Sequence, residues 1–195
     1  MSPDFAAPPS DLSGFPGREF TGALFRIHGD GHHPGYFSST GSGRFDLVSV
    51  ADVGTCYVAS TEAGAFVEVF GDLRVVPASL VDSKRISQAS VNEKLRLADV
   101  TDPHVIGQYG LGQEMSANLD YAPTQEWARA FYAGGFDGIW YSSRHDPAGE
   151  SRSVAIFGHA PVDELRLVWS TPVPIVPRLL DEVAARFGIE VLPTV

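Results

Sequence analysis

The chain has 195 residues, enough for one domain with a sizeable core, and its 44% hydrophobic and 19% charged residues are ordinary for a globular protein. The formal net charge of −10, from 24 acidic and 14 basic residues, argues against a broad nucleic-acid footprint. It leaves room for a small anion held by a few local arginines.

Residues 1–18 are rich in Pro, Ser and Gly and read as a flexible N-terminal arm ahead of a single domain over residues 19–195. The arm lacks the basic and apolar regions of a signal peptide, and no apolar run in the chain is long enough to cross a membrane. ALFRIH, residues 23–28, is a predicted strand with Arg26 on the face of Leu24 and His28, away from Phe25 and Ile27. GDGHHPGYFSSTGSGRFD, residues 29–46, follows as a long Gly- and Ser-rich loop, a kind usually functional or disordered in a compact domain. TCYVAS is the next strand, with Cys56 and Val58 on one face and Thr55, Tyr57 and Ala59 on the other. Cys56 has no partner for an internal disulfide and reads as a small buried hydrophobe, which points to the cytoplasm.

Ser60 or Thr61 can cap the helix that follows, and Gly71 can end it. Ala63, Phe66, Val67 and Phe70 make its apolar stripe. Glu68 lies beside that stripe, and a carboxylate facing a core is costly unless it is paired or there for chemistry. LRVVPA and KLRLADV read as strands, and YGLGQEMSANLDYA as loop. A helix starts at Pro123 and Thr124 and closes at Gly134. DGIWYSSR, SVAIFG and LRLVWST are three more strands. VPRLLDEVAARFG is an amphipathic helix with Leu179, Leu180, Val183 and Phe187 on one side. Strands outnumber helices without regular alternation, which favours a single α+β domain over a doubly wound sheet.

Several familiar signals fail on inspection. His28, His32 and His33 match no standard metal spacing, and no metal is expected. GLG and GSG lie outside any strand-turn-helix dinucleotide fingerprint. YSSRHD lacks the glycines of a nucleophile elbow. What remains is a set of polar residues within apolar elements: Arg26, Arg44, Tyr57, Glu68 and Ser143. Taken singly, each has a structural reading. Arg26 and Glu68 can pair, Tyr57 can be a core tyrosine with its hydroxyl bonded, and Ser143 can cap a turn.

Taken in order, with LFRIH, GRFD, TCYVASTEAGAFVEVF, YAPTQEWARAFYAGGFDGIWYSSR and SVAIFG around them, they resemble the RES domain family across residues 22–170. The resemblance implies an ADP-ribosyltransferase-like fold of mixed sheets with short helices. It implies an NAD⁺-consuming toxin, restrained by a helix-turn-helix antitoxin. By position, Arg26 and Arg44 match the family's ligand-binding arginines, Tyr57 its active-site tyrosine, Glu68 its glutamate and Ser143 its serine, with Ser142 as the alternative. Residues 80–120 carry no family landmark.

The chemistry suits these residue types. Pyrophosphate needs guanidinium forks. The nicotinamide of NAD⁺ leaves as a neutral molecule, so one carboxylate stabilising positive charge on the ribose suffices, unlike the two of ordinary glycoside hydrolysis. Glu68 fits that role, with Tyr57 stacking on nicotinamide and Ser143 hydrogen-bonding to its amide or to ribose. NAD⁺ is then substrate and not cofactor. The acceptor stays open between water, phosphate as co-substrate and a protein side chain. A non-catalytic binding module on the same fold, or a mono-ADP-ribosyltransferase acting on a protein, are the other readings, and the oligomeric state is open.

Overall fold

A computed structural model describes residues 6–112, 114–146, 149–163 and 166–193. In chain order the strands and helices are β1 (Gly17–Phe20), β2 (Ala23–Gly29), β3 (Val53–Ala59), α1 (Glu62–Phe70), β4 (Val75–Pro77), α2 (Ala78–Asp82), β5 (Lys84–Val91) and β6 (Leu95–Asp99). There follow α3 (Pro103–Tyr109), α4 (Glu114–Ala117), α5 (Ala122–Ala133), β7 (Gly138–Ser142), β8 (Arg152–His159), β9 (Leu167–Trp169), β10 (Val173–Pro174), α6 (Pro177–Phe187) and β11 (Glu190–Leu192).

Nine strands form one mixed sheet in the order β1-β6-β7-β8-β3-β2-β5-β10, with β9 also on β5, and β4 and β11 pair separately. The expected α+β single domain holds, and the curled mixed sheet with short helices fits an ADP-ribosyltransferase-like fold. One junction decides where the site forms. β2 and β3 pair only at Phe25 and Ala59, whereas β3 pairs with β8 along its whole length. The sheet therefore splits between β2 and β3. Ser38, from the 29–46 loop, fills part of the gap by exchanging backbone hydrogen bonds with Thr55 at 2.9 and 2.7 Å.

Each face of the sheet has its own core. Leu24, Cys56, Val58, Trp140, Val154 and Ile156 share one cluster, as the β2 and β3 alternation requires. The other face is covered twice. α1 and α6 bury Phe66, Val67, Phe70, Leu179 and Val183 over Ile27 and Ile86. α5 packs Trp127 and Phe131 over Ile139 and Phe157. Thr61 caps α1 by accepting from Gly64 N at 2.9 Å, and Gly71 closes it.

The arm is a correction. Residues 1–5 lie outside the described residues, but Leu12 and Phe15 are buried in the α5 core and Gly17 begins β1. Trp127 Nε1 also donates to Ala6 O at 2.7 Å. The Pro- and Gly-rich composition hid two apolar anchors whose burial outweighs the entropy of ordering the segment.

Candidate active site

The cleft is a cavity of about 350 Å³ lying where the α1 and α5 cores meet. Of the five residues singled out in the sequence, Arg26, Arg44, Tyr57 and Glu68 line it together. They come from β2, the 29–46 loop, β3 and α1, so the fold brings together residues up to 42 positions apart beside the split between β2 and β3.

Arg26 sits at that split. Its Nη1 donates to Pro34 O at 2.6 Å, Tyr36 O at 2.8 Å and Cys56 Sγ at 3.0 Å. It bonds to the loop and to β3, and not to Glu68. The Arg26–Glu68 ion pair allowed by the structural reading is therefore not formed. Burial pushes the fully enclosed Cys56 thiol up, so it stays protonated beside the guanidinium.

Glu68 is not buried. It is exposed on the α1 flank, turned towards the cleft, and its Oε1 accepts from Ser153 Oγ at 2.7 Å. The premise of a costly core carboxylate falls away, because at position 68 the helix face is already leaving the stripe of Ala63, Phe66, Val67 and Phe70.

Arg44 donates through Nη1 to Asn118 O at 2.5 Å and stacks on the Tyr121 ring at 4.7 Å. Burial pulls its pKa below the usual arginine value, opposed by the Tyr121 and Tyr141 hydroxyls, yet a guanidinium still stays charged. Tyr57 donates its hydroxyl to Asp46 Oδ1 at 2.9 Å and accepts from Phe45 N at 2.8 Å. Burial, then the Asp46 carboxylate, hold its pKa well above the usual tyrosine value. With its hydroxyl committed, Tyr57 offers the cleft a ring and not a proton.

Ser143 is 5% exposed and does not line the cavity. Its Oγ accepts from His145 N at 3.2 Å, which is the turn-capping role of the structural reading. Ser142, the alternative, is the last residue of β7 and is also absent from the lining.

Sequence reasoning missed further polar lining residues, among them Tyr121, Tyr141, Arg144, His145 and Asp72. Arg144 makes a two-oxygen contact with Asp72 at 2.8 and 2.7 Å and donates through Nε to His145 Nε2 at 3.0 Å. Burial, then Arg144, pull the His145 pKa below 6.5 and favour the neutral ring that accepts this bond. YSSRHD carries Arg144 and His145, but in sequence its only familiar pattern is a nucleophile elbow. Tyr121 precedes the first residue of α5, at the edge of a stretch without landmarks, and makes no side-chain cap bond. Among the described residues no three His, Cys, Asp or Glu side chains gather as a metal site. His28 instead meets Ser87 Oγ at 2.9 Å.

The cleft thus holds two carboxylates, Glu68 and the Arg144-bound Asp72, beside three guanidinium groups and three tyrosine rings. Residues 23–176 match the RES domain, which covers every residue named in it. The chain belongs to the RES domain family. The RES match begins at the first residue of β2 and ends just before α6, so it takes in both edges of the split sheet. Among solved structures, the M. tuberculosis MbcT–MbcA toxin–antitoxin complex contains a chain similar in fold, with a TM-score of 0.67 and 18% identity. The likeness covers 87% of this chain and 92% of that one. No curated protein sequence matches the chain. No helix among the described residues is long and apolar enough to cross a membrane.

Proposed function

We propose that this RES domain protein is the toxin of a toxin–antitoxin pair and cleaves the nicotinamide–ribose bond of NAD⁺ in the cytoplasm. One observation carries the chemistry: Glu68, a carboxylate fixed by Ser153 and bound to no guanidinium group among the described residues, shares a small cleft with Arg26, Arg44 and Arg144. Guanidinium groups bind pyrophosphate in pairs of hydrogen bonds. A single carboxylate suits the cationic ribose of this cleavage, and the cleft has no second carboxylate beside Glu68 except Asp72, which is held by Arg144.

In the reaction the C–N bond breaks with its electron pair leaving on nicotinamide. Glu68 stabilises the positive charge left on the ribose ring. The oxygen of the acceptor then bonds to that carbon and gives up its proton to solvent. Arg26 and Arg44 hold the pyrophosphate, and Tyr57 stacks on the nicotinamide face. Water, inorganic phosphate or a protein side chain can complete the step, and NAD⁺ is consumed as substrate in each case. An antitoxin, of helix-turn-helix type by the family resemblance, would restrain the activity; the toxin–antitoxin pairing of the similar M. tuberculosis structure supports an antitoxin partner.

The test is incubation of purified protein with NAD⁺, with and without phosphate, followed by separation of the products. ADP-ribose marks hydrolysis, ADP-ribose-1″-phosphate marks phosphorolysis, and label retained on protein marks transfer. Intact NAD⁺ under both conditions overturns the enzyme and leaves a binding module.

A further inference from the structure

The GSGRFD turn reads in sequence as a flexible glycine loop, yet its backbone is gripped from two sides. From one side, the buried carboxylate of Asp46 accepts from Gly41 N and Gly43 N, each at 3.0 Å, and from Ser38 Oγ at 3.3 Å. Its other oxygen takes the Tyr57 hydroxyl. From the opposite side, the first turn of α5 holds the carbonyls. Gln125 Nε2 donates to Gly41 O and Gly43 O, each at 2.9 Å, and the buried Thr124 hydroxyl donates to Arg44 O at 2.6 Å. A side chain at Gly43 would collide with Asp46 and the Tyr57 hydroxyl, so the turn is closed as well as bonded.

We propose that Asp46 and Gln125 are positioning residues. Together they form a two-sided brace that fixes the Arg44 guanidinium and the Tyr57 ring for the dinucleotide. The role of the fixed pair rests on the NAD⁺ reading; the brace itself does not. A ligand site needs its cationic forks held before the ligand arrives, because ordering a long side chain on binding weakens affinity. Among the described residues, the Arg44 guanidinium is otherwise held by the Asn118 carbonyl and the Tyr121 ring. Asp46 also joins the two binding elements, since one carboxylate touches both the Arg44 turn and Tyr57. Arg44, Tyr57, Asp46 and Gln125 therefore act as one unit.

The test compares the parent protein with Gln125→Ala and Asp46→Asn. The first readout is ¹⁵N relaxation of the Arg44 Nε–H vector, which needs no ligand. Arg44 is expected to be ordered in the parent and to fall towards the flexible range, below an order parameter of about 0.6, in both variants. The second is the NAD⁺ dissociation constant by calorimetry, on the parent and on an Arg44→Ala background. Gln125→Ala should weaken binding about fivefold to tenfold in the parent, yet by less than about twofold once Arg44 is gone. Equal losses on both backgrounds, or an Arg44 as ordered in the variants as in the parent, would overturn the proposal. Gln125 is partly exposed, so its variant decides the matter if Asp46→Asn does not fold. A parent that binds no NAD⁺ sinks the functional reading, and the Arg44 order parameters then settle the brace alone.

Discussion

Ser153 and Glu68, 85 residues apart in sequence, meet through one hydrogen bond of 2.7 Å that ties the α1 carboxylate to strand β8. The bond uses Oε1 and leaves Oε2 without a hydrogen-bond partner among the described residues. Glu68→Gln keeps an oxygen for Ser153, so fold and NAD⁺ binding should persist. Cleavage should fall by ~10²–10³, the typical effect of removing a group that stabilises transition-state charge. Thermal melting and NAD⁺ loss, measured side by side, check both halves. Full turnover by the variant would remove Glu68 from the mechanism.

Arg26 and Arg44 should separate in a way the sequence does not suggest. On the proposed reading, losing either one should remove charged hydrogen bonds to pyrophosphate, about 1.5–3 kcal/mol each. Arg26→Ala also strips the donor from Pro34 O, Tyr36 O and the Cys56 sulfur at the β2–β3 split. It should lower the melting temperature more than Arg44→Ala, which frees the Asn118 carbonyl and uncovers the Tyr121 ring. Calorimetric titration and melting of both variants read the two effects. An Arg44→Ala protein that binds NAD⁺ like the parent would make that arginine structural.

The legible parts are those where local pattern and tertiary demand agree. Thr61 and Gly71 bound α1 because capping is a local matter, and the Cys56–Val58 alternation survives because both faces of β3 are buried. Strand β5 was missed because its sequence, KRISQASV, offers only Ile86 and Ala89 as buried apolar residues, with Ser87 buried against His28. In the cleft, Arg26, Arg44, Tyr57 and Glu68 were found by their likeness to a family pattern. Arg144, His145 and Tyr121 enter through the path of the chain after β7 and before α5, which no local periodicity encodes. Ser143 has the right neighbours, but its hydroxyl turns into its own loop.

Acid should destabilise the protein partly through two histidines. Burial is the first cause that lowers the pKa of both His28 and His145 from 6.5, with Arg26 or Arg144 adding to it. The unfolded chain then binds more protons as pH drops below 6.5, so stability is complete above that value and is lost as pH falls through the folded-state values. The denaturation midpoint should fall between about pH 7 and pH 5. His145→Gln, which cannot take up that proton, should show a shallower fall. An identical slope for parent and variant would exclude His145 from the effect.

The docked arm should be a matter of stability and not of chemistry. Phe15 touches the rings of Tyr109, Phe131 and Phe136, at 4.8, 4.7 and 6.1 Å between centroids, and none of the four lines the cleft. Phe15→Ala should cost roughly 3–5 kcal/mol by leaving a cavity among these rings. Affinity for NAD⁺, measured below the melting temperature, should not change. A fully stable variant would show that the segment only rests on the core.

A toxin that drains NAD⁺ must be restrained in the cell that makes it, and the open cleft is the obvious place to block. The sequence offers Tyr36 and Phe37 as apolar anchors on the 29–46 loop. Phe37 is only 1% exposed and cannot serve, but Tyr36 is 44% exposed, and Leu119, next to the Asn118 that holds Arg44, is 78% exposed. These two residues flank the Arg26 and Arg44 sides of the cleft without lining it. An inhibitory partner seated over the mouth would bury them, and fully burying such a side chain contributes about 1.5–3 kcal/mol. Growth should be poor when the protein is expressed alone and recover on co-expression with the adjacent open reading frame. Tyr36→Asp and Leu119→Asp should each weaken the complex at least about tenfold while leaving NAD⁺ turnover of the free protein intact. Equal growth with and without the partner, at equal soluble levels, would count against the restraint. A complex indifferent to both substitutions would move the interface away from the cleft.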